Sequence, residues 1–208
     1  NSSFGVDLNR NYGFKWGANN QGSSSSPSSD TYRGTAPFSE PEALAISQFA
    51  TKHKPVFTVS YHSYGEVVLF PYGCEVCQNP DGYFAKEIVK EFAGRLVTDT
   101  GDDHYDYRGQ LYPVNGLDRD WHYHALGTIS FVVEISNRSR GFQPDYASWR
   151  DRTVEGLRPG WQYLLDRVNG PAIRIHVKDA ATKQPLPARI SLKQVVFHEG
   201  EARQADSK

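Results

Sequence analysis

Two short apolar runs constrain the fold of this chain more than any other feature. Residues 56–61 (VFTVSY) and residues 128–135 (TISFVVEI) are rich in β-branched and aromatic side chains, and both are shorter than a typical buried helix. Segments with helical spacing precede, separate and follow them. Near-continuous apolar strands that alternate with helices are typical of sheets covered by helices on both faces. The sequence therefore predicts an α/β domain with a mixed, largely parallel sheet flanked by helices.

The helices are predicted from apolar residues that recur three and four positions apart. Four segments have this spacing, at residues 43–50, 81–97, 121–126 and 144–168. Ser39 can cap the first helix, and Pro41 suits its first turn. Residues 67–70 form a further short extended segment, and residues 98–120 form a polar and aromatic loop. Loops of that length inside compact domains are usually functional, so we expect part of a site there.

Composition changes after residue 169. Residues 173–177 alternate strictly between apolar and polar side chains, and residues 188–192 begin a second strand after a Pro-rich turn. Such alternation is typical of half-buried strands. We predict two parts, an α/β domain over residues 1–169 and the truncated start of a β-sandwich over residues 170–208.

Charge and hydropathy exclude two classes of partner. The formal net charge is −1 over 208 residues, which provides no electrostatic basis for binding nucleic acid. No stretch approaches the roughly 18 apolar residues of a membrane span. The chain has no initiator Met, so we expect it to be a piece of a longer product, and the lack of a signal peptide does not argue against secretion.

The cysteines, Cys74 and Cys77, form one C-x-x-C pair in a loop. A zinc ribbon needs a second pair, and a thioredoxin-like site would place the pair at the start of a helix after a strand. A local disulfide or two loop thiols is therefore the favoured interpretation. Redox or metal chemistry is the alternative.

His62 and Glu134 stand out because each lies in or at the end of an apolar strand. A histidine at a strand end is often structural, but the carboxyl ends of strands in open α/β sheets are also where ligands bind. A carboxylate in an apolar strand must be paired or must have a shifted pKa, so Glu134 is either the partner of a structural arginine or a general base.

Asn9, Arg10 and Tyr112 are weaker candidates when each is considered alone. An Asn-Arg pair offers a bidentate guanidinium and an amide, which suit a carboxylate ligand, although most arginines are merely solvated. Tyr112 lies in the long loop and could donate a hydrogen bond to a ligand or simply pack at the surface.

Together these residues resemble the zinc carboxypeptidases of the M14 type. The resemblance rests on four motifs, in order: GVDLNRNY at residues 5–12, HSY at 62–64 followed by FPYG, Tyr112 with Asp-Trp at 120–121, and FVVE at 131–134. It covers residues 1–168 and corresponds to the second half of the family's catalytic domain.

The resemblance implies a role for each residue. His62 would be a zinc ligand, and Glu134 the base that deprotonates the metal-activated water. Asn9 and Arg10 would bind the terminal carboxylate of a peptide, and Tyr112 would be a mobile lid. Ser63 and Tyr64 would line neighbouring subsites. The cofactor would be one zinc ion, and the substrates would be peptide or protein C-termini.

The family takes its other two zinc ligands from an upstream His-x-x-Glu, and no such pattern precedes His62 here. One imidazole does not make a tetrahedral zinc site. We therefore expect those ligands, and the N-terminal half of the catalytic domain, to lie upstream of these residues. The chain alone is expected to be inactive.

The same resemblance implies a preference for certain C-terminal residues of the substrate and a fold for the residues after 170. Arg119 occupies the position at the floor of the side-chain pocket, with Gly73, Leu111, Val114 and Leu117 around it, and would favour an acidic C-terminal residue. It could instead turn outward or pair with Asp118 or another acid. Residues after 170 resemble a transthyretin-like β-sandwich.

Two other functions remain open. One is a catalytically dead peptide-binding module, although such a module would not need a base. The other is an amidase acting on cell-wall peptides, which an outward orientation of Asn9 and Arg10 would favour. A secreted or periplasmic location is expected.

Overall fold

The computed structural model describes residues 5–75, 77, 82–171, 175–190 and 204–205. The strands of the main sheet are β1 (Phe57–Ser63), β2 (Val67–Leu69), β3 (Asp106–Arg108) and β4 (Ile129–Ile135). The helices are α1 (Pro41–His53), α2 (Gly82–Ala93), α3 (Asp118–Leu126) and α4 (Tyr146–Asn169). A separate pair, β5 (Ala188–Arg189) and β6 (Gln204–Ala205), follows.

The main sheet has the strand order β1-β4-β2-β3. β1 runs parallel to β4, β2 runs parallel to β3, and β2 and β4 are antiparallel. The predicted α/β class with a mixed, largely parallel sheet is therefore confirmed. Because β1 and β4 are parallel neighbours, their C-terminal ends lie side by side, and His62 and Glu134 lie near these ends.

One face of the sheet carries the main hydrophobic core. Val68, Phe131 and Val133 are buried there against Phe92 of α2 and Leu157 of α4. Side chains alternate across a strand, so the residues between these positions face the opposite side. On that side Val67, Leu69 and Val132 form a small buried cluster, and α3 packs against β4. The candidate site residues lie on this second face.

Two helices differ from their predicted apolar faces. In α1 the buried positions are Ala43, Ser47 and Ala50, and the larger apolar residues of the predicted stripe are exposed. In α4 the face toward the core includes Leu157 and Leu164, whereas Trp161 and Leu165 of the predicted stripe are exposed. Periodicity identifies which residues share a helix face. Among the described residues, however, nothing covers the exposed apolar residues of α1 and α4.

The boundaries are otherwise close to those predicted, with three refinements. The long loop contains the short strand β3, which periodicity could not detect in three residues. The helix predicted from residue 121 begins at Asp118, and the N-cap of α1 is Glu40 rather than Ser39. The Ser39 hydroxyl instead accepts a hydrogen bond from Asn11 and donates one to Glu40.

The region after residue 170 leaves the predicted sandwich untested. Residues 172–174 and 191–203 lie outside the described residues, and these include two of the five residues of each predicted strand. The described part contains one antiparallel pair, β5 with β6, and a bridge between Lys178 and Pro185. The domain boundary at 169–170 and the β-sandwich stay predictions.

Two further features bear on the predictions from composition. Cys74 and Cys77 are joined by a disulfide, which agrees with the first of the two alternatives for this pair. Within the part of the chain that the structure describes, no helix is long and apolar enough to cross a membrane.

Candidate active site

His62 and Glu134 are brought together by the register of two parallel strands. Their Cα atoms are direct partners in the β1–β4 ladder. Partners in a parallel ladder project to the same face, so both side chains point away from the main core. The His62 Nε2 atom lies 3.4 Å from Asn9 Nδ2 and 3.3 Å from Ser60 Oγ. These are long contacts, so the nitrogen has no short hydrogen bond with which a metal would compete.

Glu134 lies in a partly desolvated and positively charged setting. Burial raises the pKa of its carboxyl group, while His62, Arg119 and Arg10 act in the opposite direction. Desolvation penalises the charged form of an acid, which strengthens it as a base, whereas nearby cations keep part of it ionised. The environment is thus suited to a group that accepts and returns a proton.

Asn9 and Arg10 are presented by a short 3₁₀ turn, Leu8–Arg10, that Asp7 caps by accepting the Asn9 N–H at 3.0 Å. The Asn9 Oδ1 atom accepts the backbone N–H of Asp118 at 3.0 Å, so Asn9 joins α3 to His62. Arg10 is 8% exposed, and it donates to the carbonyl oxygens of Gly22 and Asn9 at 2.6 and 2.7 Å. These bonds fix the guanidinium in place.

A cavity of about 70 Å³ brings the predicted residues together. Its polar wall consists of Asn9, Arg10, His62, Tyr112, Arg119 and Glu134. Its apolar wall consists of Leu69, Leu111, Val114, Leu117 and Val132. Residues that lie far apart in the sequence therefore surround one small space that combines a histidine, a carboxylate and two guanidinium groups.

Arg119 lies at the bottom of this arrangement, in the first turn of α3. It is 2% exposed, and it pairs with the equally buried Asp120 at 3.3 Å and donates to the Gly109 carbonyl at 2.8 Å. The alternative that Arg119 turns outward is therefore wrong. The alternative of pairing with another acid is correct, and the partner is Asp120 rather than Asp118. Burial raises the pKa of Asp120 to about 6, although Arg119 and the Gly73 N–H act in the opposite direction.

Tyr112 is an exposed member of the cavity wall, whereas Ser63 and Tyr64 do not line this cavity. Tyr112 is 54% exposed and borders both the small cavity and an adjoining cleft of about 550 Å³. Tyr64 lines that cleft, and Ser63 donates to the Phe142 carbonyl at 2.9 Å. Of the predicted substrate-binding residues, these two are therefore placed beside the cavity and not in its wall.

Comparison with known proteins identifies the family. The family profile of zinc carboxypeptidases matches residues 1–156. The chain belongs to the zinc carboxypeptidase family. It is 34% identical over 182 residues to zinc carboxypeptidase A 1 of Drosophila melanogaster, which covers 84% of this chain and 40% of that protein. It is 36% identical over 146 residues to mouse carboxypeptidase A1, covering 66% of this chain and 33% of that protein.

Solved structures of carboxypeptidases share the fold. Thrombin activatable fibrinolysis inhibitor matches with a TM-score of 0.67 and 28% identity, over 79% of this chain and 44% of that one. The carboxypeptidase A of Helicoverpa armigera matches with a TM-score of 0.60 and 27% identity, over 80% of this chain and 43% of that one. The chain thus spans about two fifths of the length of these relatives.

The zinc that the family name implies can be tested against the residues present. Among the described residues, no three His, Cys, Asp or Glu side chains are grouped closely enough to hold a metal ion. His62 fits as one ligand because it lines the cavity together with Glu134. A His-x-x-Glu spacing does occur, at His198 and Glu201. It follows His62 in the sequence rather than preceding it, and both residues lie outside the described part of the chain.

Leu69 and Val132 are cavity residues that the sequence prediction missed. Val132 precedes Glu134 by two positions on the same strand, and Leu69 is its partner in the β2–β4 ladder. Side chains two positions apart in a strand share a face, so the position of Val132 beside Glu134 could have been predicted from the sequence. Gly73, which was predicted as a pocket residue, lies behind the cavity and contacts Arg119 and Leu117.

Replacing Gly73 with alanine is expected to lower the free energy of unfolding by about 1–3 kcal/mol, the usual range for overpacking a core. A Cβ atom there would lie 2.6 Å from Arg119 Nη2 and would also collide with Leu117. Arg119 cannot yield easily, since it is held by Gly109 and Asp120. Urea unfolding of the variant measures the effect.

The matched control is Gly5→Ala, because a Cβ atom on Gly5 meets nothing within 4 Å. Its free energy of unfolding should stay within about 0.5 kcal/mol of the parent protein. Equal stability of the two variants would mean that the packing between Gly73 and Arg119 is looser than described.

Proposed function

We propose that the whole protein is a zinc-dependent carboxypeptidase that removes C-terminal residues from peptides. The observation that carries this proposal is the convergence of His62, Glu134, Asn9 and Arg10 on one cavity. A metal ligand, a base and a carboxylate-binding pair are the three components that hydrolysis of a terminal peptide bond requires. Membership of the zinc carboxypeptidase family supports the same conclusion.

His62 and Glu134 would have separate roles in the reaction. Zinc, when bound, supplies a Lewis acid that polarises the scissile carbonyl and lowers the pKa of a water molecule. His62 would be one of the residues that hold the metal. Glu134 would accept the proton from the attacking water at its carboxylate and return it to the leaving amine. The raised pKa of this carboxyl group favours the exchange.

Substrate orientation would come from the opposite side of the cavity. Arg10 and Asn9 would bind the terminal carboxylate of the peptide, since Arg10 is buried at the cavity wall and its position is fixed by backbone carbonyls. Tyr112, which is largely exposed at the entrance, would contact the bound peptide, and Tyr64 and Ser63 would border the residues that precede the cleaved bond.

A further part of the protein would supply the other two zinc ligands. Two observations support this proposal. Among the described residues β1 pairs only with β4, which leaves its second edge available for another strand. Large apolar side chains also lie exposed near this edge, including Val56, Tyr61 and Trp161. A segment covering them would complete the sheet and could bring the two ligands to His62.

The two alternative functions are less well supported. A dead binding module would have no use for the partly desolvated Glu134 beside His62. An amidase of the same fold would be favoured by an Asn9–Arg10 pair that faced away from the cavity, whereas both residues line it. A secreted location is proposed with the same function.

Metal analysis and peptide hydrolysis on the whole protein test the proposal. We expect one zinc ion per molecule, release of single C-terminal residues from N-blocked peptides, loss of activity on dialysis against a chelator, and recovery when zinc is restored. A whole protein that holds no zinc would contradict the proposal, as would hydrolysis that is insensitive to the chelator.

A further inference from the structure

Two carboxylates that have no role in the proposed mechanism lie close to the C-terminal ends of β1 and β4. Asp99, in the loop after α2, is 3% exposed, and Glu66 lies in the turn between β1 and β2. The Glu66 Oε1 atom accepts the Asp99 backbone N–H at 2.6 Å. This bond joins the loop after α2 to the turn that follows His62.

Asn137 connects these two residues to the segment that follows Glu134. Its Nδ2 atom donates to Glu66 Oε2 at 3.0 Å, and its backbone N–H donates to Asp99 Oδ2 at 3.0 Å. Arg140 Nε donates to the same Asp99 oxygen at 3.0 Å and supplies the opposite charge. A buried polar network whose members are hydrogen-bonded to one another makes the segments it joins rigid. We call these four residues the Glu66–Asp99 network.

The backbone has an uncommon conformation at two positions in or beside this network. Ser136 has a φ of +67° and Glu66 a φ of +51°, values that residues with a side chain seldom adopt. Such residues persist only where the surrounding structure holds them. The Ser136 carbonyl accepts the Gly65 N–H at 2.9 Å, and the buried Tyr105 hydroxyl forms a hydrogen bond with the Ser136 backbone. The network and these bonds therefore maintain turns that are costly by themselves.

The two turns contact the proposed base, Glu134. A Cβ atom added to Gly65 would lie 3.7 Å from Glu134 Cβ, so the backbone of the first turn packs against the base. Val67 follows Glu66 directly and is the Cα partner of Glu134 in the β2–β4 ladder. Ser136 begins the second turn just after the end of β4. A shift of either turn would therefore move the Glu134 carboxylate relative to the cavity.

We propose that Glu66 and Asp99 are positioning residues for Glu134, which fix its carboxylate where it meets the attacking water. This inference rests on the proposed function, in which Glu134 is the base. Glu66 and Asp99 do not line the cavity, so they act through the two turns and not by touching the substrate. A displacement of about 1 Å caused by a change away from the chemistry can cost about 100-fold in rate.

The test uses two reciprocal substitutions in the zinc-loaded whole protein. Glu66→Gln exchanges an accepting oxygen for a donating amide, so the side chain cannot accept from both Asp99 and Asn137. Asn137→Asp places a second carboxylate opposite Glu66. We expect each single variant to lower kcat by about 10–100-fold, with KM within about twofold of the parent and zinc content unchanged.

The double variant Glu66→Gln/Asn137→Asp again places a donor opposite an acceptor, with the direction of the bond reversed and the total charge kept. Its kcat should return to within about threefold of the parent value. Steady-state kinetics on an N-blocked dipeptide provide kcat and KM, and zinc is measured on the same samples. Recovery in the double variant is specific to this bond, because general destabilisation by two substitutions would add up instead.

Thr128→Val is the control that separates positioning from stability. The buried Thr128 hydroxyl donates to the Pro55 carbonyl at 2.8 Å. It lies just before β4, at the opposite end of the strand from Glu134 and about 20 Å away at the rise of a β-strand. Loss of this bond should lower the free energy of unfolding by about 1 kcal/mol and leave kcat unchanged. Urea unfolding at the assay temperature measures the stability of every variant.

The outcomes separate this inference from the proposed function. Absence of hydrolysis by the parent protein would contradict the proposed function. Single variants that keep kcat within about threefold of the parent would overturn the positioning role and leave the proposed function standing. A double variant as slow as the single ones, or an equal loss of kcat in Thr128→Val, would overturn it too. If Glu66→Gln does not fold, Asn137→Ala decides in its place, because it removes the same side-chain bond from a half-buried residue.

Discussion

Replacing Glu134 with glutamine is expected to lower kcat by about 10²–10⁴-fold, the usual contribution of a positioned general acid–base group. Glutamine keeps the size of the side chain and its place opposite His62 in the β1–β4 ladder, but it cannot accept a proton from water. Because the chemical step is lost rather than substrate binding, KM should change little. Steady-state kinetics of the whole protein, with zinc content measured on the same sample, provide both values.

The zinc content is the control within this experiment, since Glu134 is a base and not a metal ligand in the proposed mechanism. Glu155→Gln on α4 provides a matched control for the loss of one carboxylate, because Glu155 is exposed and α4 packs against the opposite face of the sheet from the cavity. Its kcat should equal that of the parent. A Glu134→Gln variant that retained kcat within about threefold would show that another group accepts the proton.

The order of the elements could be predicted from the sequence because strands and helices differ in the period of their apolar residues. Residues 56–61 and 128–135 predicted β1 and β4, and a parallel arrangement of the two was enough to place His62 and Glu134 at the same edge. Their direct pairing could not be predicted. Register depends on contacts between strands that are more than 60 residues apart, and no local pattern specifies it.

The candidate site could be predicted more fully than the packing around it. Asn9, Arg10, His62, Tyr112, Arg119 and Glu134 all line one cavity, as expected. Ser63 lies outside its wall because alternation along β1 turns the Ser63 side chain to the opposite side from His62, and Tyr64, which follows the end of β1, lines the adjoining cleft. The partner of Arg119 could not be predicted, because Asp118 and Asp120 flank it in the same turn of α3 and the choice between them depends on side-chain rotamers.

The exposed apolar faces of α1 and α4 show what periodicity in the sequence cannot predict. The sequence marks Phe49, Trp161 and Leu165 as members of apolar stripes, and the structure leaves them exposed. Periodicity indicates that such residues avoid water, but it does not say which segment covers them. The same holds for the edge of β1 that has no strand partner among the described residues, so local sequence patterns explain the surface around this strand least.

Replacing His62 with alanine is expected to have the second large effect, a loss of zinc affinity of more than about 100-fold. Removal of groups that merely orient metal ligands already weakens affinity by about 10–100-fold, and His62 would be a ligand itself. Loss of one of three protein ligands leaves too few donors for a tetrahedral site. Zinc binding to the whole protein, measured by competition with a chelator of known affinity, provides the dissociation constant, and hydrolysis should fall in proportion to zinc occupancy.

A variant of a second histidine serves as the control for the loss of zinc affinity in His62→Ala. His53 lies exposed near the end of α1 and contacts Phe49 rather than the cavity, so His53→Ala should keep the zinc affinity of the parent. If His62→Ala also kept it, His62 would not be a ligand. The metal would then have to be sought elsewhere in the chain, with the His-x-x-Glu spacing at His198 and Glu201 as the next position to examine. If only His62→Ala loses zinc, the register that pairs His62 with Glu134 also sets the distance between metal and base.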